Sequence, residues 1–326
     1  MEKLLLKNIK QLATFKGEKA KHGKEMQDVV LINDCCILIE GKKITDIFPA
    51  EKLSHYPLFD VEIVDCGGKL VTAGYIDCHT HLVFAGDRAD EYNMRLNGVP
   101  YMEIMAKGGG IVKTVAATRT ASEEALLKLS LNRLKKSLSY GVTTLEAKSG
   151  YGLDTVTELK QLRVANKLNN IQPVEVVSTF MGAHATPKGI LSEDYVDYII
   201  DKMLPAVSAK KLAEFCDCFC EKGVFDAAQC KRIMIAAAKF GLKTKIHADE
   251  INSIGGVGLA CELGAISCEH LLKISDKDIA LLAKSETVGV ILPATAFSLK
   301  EHYAPARKMI DAGCALAVAS DFNPGS

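Results

Sequence analysis

The sequence carries no net charge: 40 basic residues are matched by 40 acidic ones over 326 positions. That balance argues against a nucleic acid or an anionic membrane drawn in by bulk electrostatics. No unbroken apolar run reaches the roughly 18–20 residues that span a bilayer. The opening MEKLLLKNIKQLATFKGEKA returns to charge after a short apolar run, which predicts a first strand and not a secretory signal. Eleven cysteines follow no small-scaffold spacing and form no pair of C-x-x-C knuckles. Reduced thiols in a cytoplasmic protein are expected, and no structural zinc. The densest cluster, FCDCFCE, sets Cys216, Cys218 and Cys220 at alternate positions, as on one buried face of a strand. The triple glycine Gly108–Gly110 lacks the Lys-Ser/Thr ending of a phosphate-binding loop and follows no strand directly, so it is expected to form a loop near the site.

What is present has two rhythms. Residues 1–70 hold the pattern CCILIE-GK-KITDIF, two strands joined by a tight glycine turn, and VEIVD, a strand ending at Gly67–Gly68. They are expected to form a small β-rich unit, a composite β-sandwich-like domain. From residue 71 to 326, short apolar runs alternate with helical patterns: LVTAGYID, VTTLEA, VEVVSTFMG, FCDCFCE, LKTKIHADE, AISCEHL, TVGVILP and ALAVASDF. Between the first two, Leu127, Leu131, Leu134 and Leu138 mark a helical stripe with Gly141 as its stop. Eight strands with intervening helices predict an α/β fold, a (β/α)8 TIM-like barrel.

Such barrels place their chemistry at the carboxyl ends of the strands. Of the eight histidines, His22, His55 and His302 lie elsewhere and read as solvated or locally hydrogen-bonded. The other five fall at strand ends: His79 and His81 at the first, His184 after the third, His247 at the fifth and His270 at the sixth, with Asp321 at the eighth. Because the first, fifth and eighth strands ring one mouth, His79, His81, His247 and Asp321 can converge. Three imidazoles and one carboxylate suit one divalent or trivalent transition metal, zinc most simply, with iron also compatible. Such a centre hydrolyses or deaminates polarised carbon–nitrogen bonds.

The DCHTH of the first strand, the histidines of the fifth and sixth and the aspartate of the eighth resemble the amidohydrolase superfamily over essentially the whole chain. HLVFAGDR, GGGIVKTVAATR, GVTTLEAKSGYGL, TFMGAHATP, KIHADE and SDFNPGS narrow the resemblance to one branch. That branch cleaves the ring C–N bond of 4-imidazolone-5-propanoate, giving N-formimidoyl-L-glutamate in histidine degradation. The resemblance implies Arg88 as the partner of the propionate, Tyr151 bonding the tail or ring, and His184 contacting the substrate and polarising its carbonyl. It further implies Glu250, beyond His247, passing a proton and touching substrate. Glu250, His270 and Asp321 are each candidates for the general base, and the sequence does not choose among the three. Asn323, Gly325 and Ser326 are expected in a final substrate loop.

The fourth strand lacks the lysine that, in some members, bridges two metals; Lys148 on the second is expected in a salt bridge or loop anchor. Partners are a small molecule and water, with no nucleic acid and no membrane; a homodimer is compatible with the resemblance. The rival readings are a deaminase of another cyclic amidine, or a truncated inactive form. The chain stops after the eighth strand, so a truncated enzyme is expected, with ALAVAS partly uncovered and an open edge on the N-terminal sheet.

Overall fold

The computed structural model describes residues 2–57, 59–99, 103 and 108–325. Two compact units divide the chain, Met1–Gly74 and Tyr75–Ser326.

The first unit is a four-stranded sheet of β1 (Lys3–Thr14), β2 (Val30–Glu40), β3 (Lys43–Pro49) and β4 (Glu62–Thr72), ordered β3-β2-β1-β4. β2 and β3 are the expected hairpin, turning at Gly41 with φ 61°. Apolar side chains line both faces: Ile9, Leu12, Cys35 and Ile37 cluster on one, Leu5, Cys36 and Phe48 on the other. Gly67–Gly68 does not end a strand as expected. β4 runs through it as a bulge, the two glycines at φ 61° and 69°, and the Gly67 amide donates to Asp65 Oδ1 at 2.8 Å. The continuation, Leu70–Thr72, pairs with Gln11–Ala13 of β1. The first barrel strand is therefore shorter than the run LVTAGYID.

The second unit is an eight-stranded parallel sheet in sequential order: β5 (Tyr75–Asp77), β6 (Val142–Lys148), β7 (Glu175–Ala183), β8 (Phe215–Cys220), β9 (Lys243–Ala248), β10 (Ser267–His270), β11 (Val288–Ile291) and β12 (Leu316–Val318). Helices between the strands complete a (β/α)8 barrel. The ring closes just beyond β5 and β12. There Thr80 bridges Phe322, the His81 amide donates to the Phe322 carbonyl at 2.8 Å, and the Asp321 amide donates to the His79 carbonyl at 3.0 Å. Closure itself thus seats two histidines beside an aspartate.

Local sequence fixes the helix starts. Ser122 caps Glu123–Ser139 by accepting from the Ala125 amide, and Asp226 with Gln229 forms a capping box on Ala227–Lys239. In Glu123–Ser139 the most buried line is Leu126, Ser130 and Leu134; Leu127 and Leu131 flank it, and Leu138 faces outward. The helix is as expected and its inner face is turned slightly. Cys216, Cys218 and Cys220 are buried among helix residues such as Ile233 and Met234. In β5 and β12, Tyr75, Ile76 and Val318 are exposed.

Candidate active site

Five histidines meet at the barrel mouth. The His79 ring lies 4.6 Å from His247, 5.5 Å from His270 and 5.6 Å from His81, and His184 stacks on His81 at 4.8 Å. His79, His247 and His270 can each offer an atom within 4.8 Å of the others, and so can His79, His81 and Asp321. The expected set of His79, His81, His247 and Asp321 is thus spread over two overlapping groups that share His79, and His270 enters one of them. Asp321 Oδ1 is 3.4 Å from His79 Nε2 and 3.7 Å from His81 Nε2. Its other oxygen accepts from the Thr295 hydroxyl at 2.7 Å. Asp249, His270, Leu271 and Asp321 all have positive φ, between 49° and 77°, so strained backbone gathers where the strands deliver these side chains.

The other nitrogens of two histidines are held from below. His79 Nδ1 is 2.5 Å from Glu269 Oε2, and His247 Nδ1 is 3.0 Å from Asp217 Oδ1. An acceptor at Nδ1 places a proton there and makes Nε2 the atom each ring turns to a metal: His247 as a neutral imidazole, His79 once a metal displaces the second proton that Glu269 holds on it. Nε2 of both residues is buried and has no hydrogen-bond partner among the described residues. Orphaned, convergent imidazole nitrogens beside a carboxylate fit a metal ion. Burial opposes the charged form of His79, yet Glu269 outweighs it and holds the imidazole up at about 9. Burial and the His79 charge push His247 far down.

Carboxylates lower in the barrel make two further groups, His79 with Glu146 and Glu269, and Asp217 with His247 and Glu269. Cations of the chain already fill them. Lys148 Nζ is 2.6 Å from Asp217, 3.0 Å from Glu146 and 3.0 Å from Glu269; Lys245 Nζ is 2.8 Å from Glu146 and 2.9 Å from Glu269. Lys148 thus makes the expected salt bridge, with three partners. Sequence reasoning missed Asp217, Glu269, Glu146 and Lys245.

Glu250 Oε1 lies 3.6 Å from His270 Nδ1. Burial first, then the nearby Asp321 charge, pushes the Glu250 carboxyl up to about 8, and burial presses His270 down to about 3. Arg88 Nη2 donates to Asn323 Oδ1 at 3.2 Å, while its Nε is buried with no partner among the described residues. A Cβ on Gly325 would sit 2.8 Å from that guanidinium, so only glycine leaves Arg88 its place. Ser326, expected in the same loop, lies outside the described residues. Arg95, unforeseen, also pins the loop through the Gly325 carbonyl at 2.5 Å.

Tyr151 is buried, its ring 5.3 Å from His184 and 5.5 Å from His81. Its loop is shaped by Glu158, a buried carboxylate accepting from the amides of Gly150, Gly152 and Leu153 at 2.7–2.9 Å. His184 Nδ1 faces the Gly150 carbonyl at 3.0 Å, which can only accept, and burial lowers the imidazole pKa to about 4. A neutral ring with its proton on Nδ1, towards that carbonyl, turns Nε2 outward as an acceptor.

The fold and this donor set define a hydrolase of the amidohydrolase superfamily. Among solved structures, triazine hydrolase from Arthobacter aurescens shares the fold with a TM-score of 0.72 at 16% identity, covering 100% of this chain and 73% of that one. An adenosine deaminase from Xanthomonas campestris with bound zinc shares it with a TM-score of 0.64 at 14% identity, covering 99% and 70%. No family model matches the chain. Imidazolonepropionase of Fusobacterium nucleatum is 52% identical over 326 residues, 99% of this chain and 78% of that protein. Imidazolonepropionase of Clostridium tetani is 47% identical with the same coverage. The chain belongs to the imidazolonepropionase family. No helix among the described residues is long and apolar enough to cross a membrane.

Proposed function

We propose that this chain is a cytoplasmic metal-dependent hydrolase that opens 4-imidazolone-5-propanoate at a ring C–N bond, with His79, His81, His247 and Asp321 holding one transition metal, zinc or iron. The observation that carries the reading is a half-buried cation, Arg88, whose Nε is buried with no partner among the described residues, in a chain that also buries orphaned metal-type imidazoles. The Arg88 charge is close enough to His184 to lower its pKa. A substrate with a carboxylate tail and a hydrolysable ring satisfies both ends at once. A neutral heterocycle, the deaminase alternative, leaves the guanidinium unpaired.

When bound, the metal supplies Lewis acidity, which lowers the pKa of water from about 15.7 towards about 7. The chain's residues do the rest. Arg88 binds the propionate through a charge-assisted pair, with Asn323 fixing the guanidinium and Gly325 giving it room. Tyr151 walls the ring and offers its hydroxyl. His184 Nε2 accepts a ring N–H of the substrate, which orients the ring about its amide. Glu250 carries the proton from water to the leaving ring nitrogen. A carboxyl raised to about 8 by burial is brought back into the working range by a nearby cation.

The test is consumption of imidazolone propionate with formation of formimidoyl-glutamate by the purified protein, before and after metal removal. Loss of turnover on chelation and return with zinc or iron is expected. Undiminished turnover after exhaustive chelation overturns the metal reading, and turnover of a cyclic amidine lacking a carboxylate in its place overturns the substrate.

A further inference from the structure

We propose that Lys148 is a positioning residue for the metal centre: its ammonium clamps Asp217 and Glu269, the two carboxylates that orient His247 and His79. The inference rests on the metal reading above and adds what holds its ligands in register.

The geometry is a closed set of contacts. Lys148 Nζ is 2.6 Å from Asp217 Oδ2, while the other oxygen of that carboxylate faces His247 Nδ1 at 3.0 Å. The same ammonium is 3.0 Å from Glu269 Oε2, the oxygen that faces His79 Nδ1 at 2.5 Å. All three side chains are essentially without solvent exposure. One cation therefore fixes both second partners of two histidines that come from different parts of the ring. Glu146, 3.0 Å away, and Lys245 complete the set, and Thr179 donates its hydroxyl to Glu146.

The function calls for such a clamp because a carboxylate free to rotate lets its histidine turn, and Nε2 then leaves the metal's coordination direction. Outer partners of metal-bound histidines affect metal affinity by about 10–100-fold. Lys148 differs from an ordinary partner in serving two histidines through one atom.

The experiment measures zinc binding by chelator competition on metal-stripped protein, with thermal melting of the same stripped samples, for wild type, Lys148→Met, Asp217→Asn and the double variant. We expect Lys148→Met and Asp217→Asn each to weaken zinc about 10–100-fold. The double variant should bind no more weakly than the weaker single, because Lys148 reaches His247 only through Asp217, so the loss in Lys148→Met already contains that of Asp217→Asn. Lys148→Gln, measured alongside, keeps a donor of similar length without the charge and gives the answer where Lys148→Met does not fold. A lower melting point with unchanged zinc affinity means a purely structural lysine and overturns the proposal. Wild type that binds no zinc overturns the metal reading and this inference with it. Wild type that binds, with variants that bind equally well, overturns this inference alone.

Discussion

At the barrel mouth, His79 Nε2, His247 Nε2 and Arg88 Nε are buried without hydrogen-bond partners; in the barrel interior beneath them, Lys148 and Lys245 meet carboxylates at 2.6–3.0 Å. Both regions bury ionisable groups, which is costly unless the groups are paired. The interior meets that cost within the chain. The mouth does not, and that marks it as the place where something from outside completes the pairing. Changes at the mouth should therefore alter chemistry with little effect on folding, and changes in the interior should alter folding.

The largest chemical effect is expected at Glu250. Glu250→Gln keeps size and hydrogen bonding but cannot carry a proton, so kcat should fall by about 10²–10⁴. Metal content and melting temperature should stay near wild type. Near-normal turnover moves the proton-transfer role to His270 or Asp321; a large loss of stability means Glu250 belongs with the interior set.

The matching interior change is Lys245→Met. It leaves Glu146 and Glu269 with one cation fewer in a buried site, and breaking such pairs costs about 3–5 kcal/mol. Urea unfolding of metal-free protein reads this directly. Unchanged stability would erase the distinction between the two regions.

The mouth was the legible half. Histidine is scarce, and five of the eight fell at strand ends, so their meeting followed once the barrel was recognised. The interior set was hidden by a correct argument left half finished. Placing Cys216, Cys218 and Cys220 on one face of β8 puts Asp217 on the other, and in a parallel barrel that face is also buried. The same parity carries Lys245 with His247 in β9 and Glu146 with Lys148 in β6. Charged residues inside strands looked like solvent-facing ones because alternation alone does not say which sheets have no wet face. The first strand was over-read for a different reason: the apolar Leu70–Thr72 pairs with β1, and which sheet takes a run depends on distant partners. Nor could spacing reveal the hydrogen-bonding role of His184, which the Gly150 carbonyl decides.

A mouth change of intermediate size is Arg88→Gln. Charge-assisted hydrogen bonds are worth about 1.5–3 kcal/mol, so kcat/KM should fall about ten- to hundredfold with metal content unchanged. The loss should shrink for a substrate analogue whose carboxylate is replaced by an amide, since no charge is then unpaired. Equal losses on both substrates would mean Arg88 acts by shaping the loop at Asn323 and Gly325.

The smallest change probes the border between the regions. Thr295 donates to Asp321 Oδ2 at 2.7 Å, which leaves Oδ1 turned towards His79 and His81. Thr295→Val keeps the shape and removes one bond, worth about 0.5–1.5 kcal/mol. If that bond serves only folding, melting temperature drops by a few degrees and kinetics stay put. If it aims the carboxylate, zinc affinity weakens several-fold with little change in the melting of metal-free protein. We expect the second result, because the helix carrying Thr295 (Pro293–Leu299) has its own buried contacts, Ala296 among them, whereas Asp321 holds a strained backbone at φ 49° that free rotation of its side chain would leave without purpose. Unchanged zinc affinity would place Thr295 among residues that only support the fold.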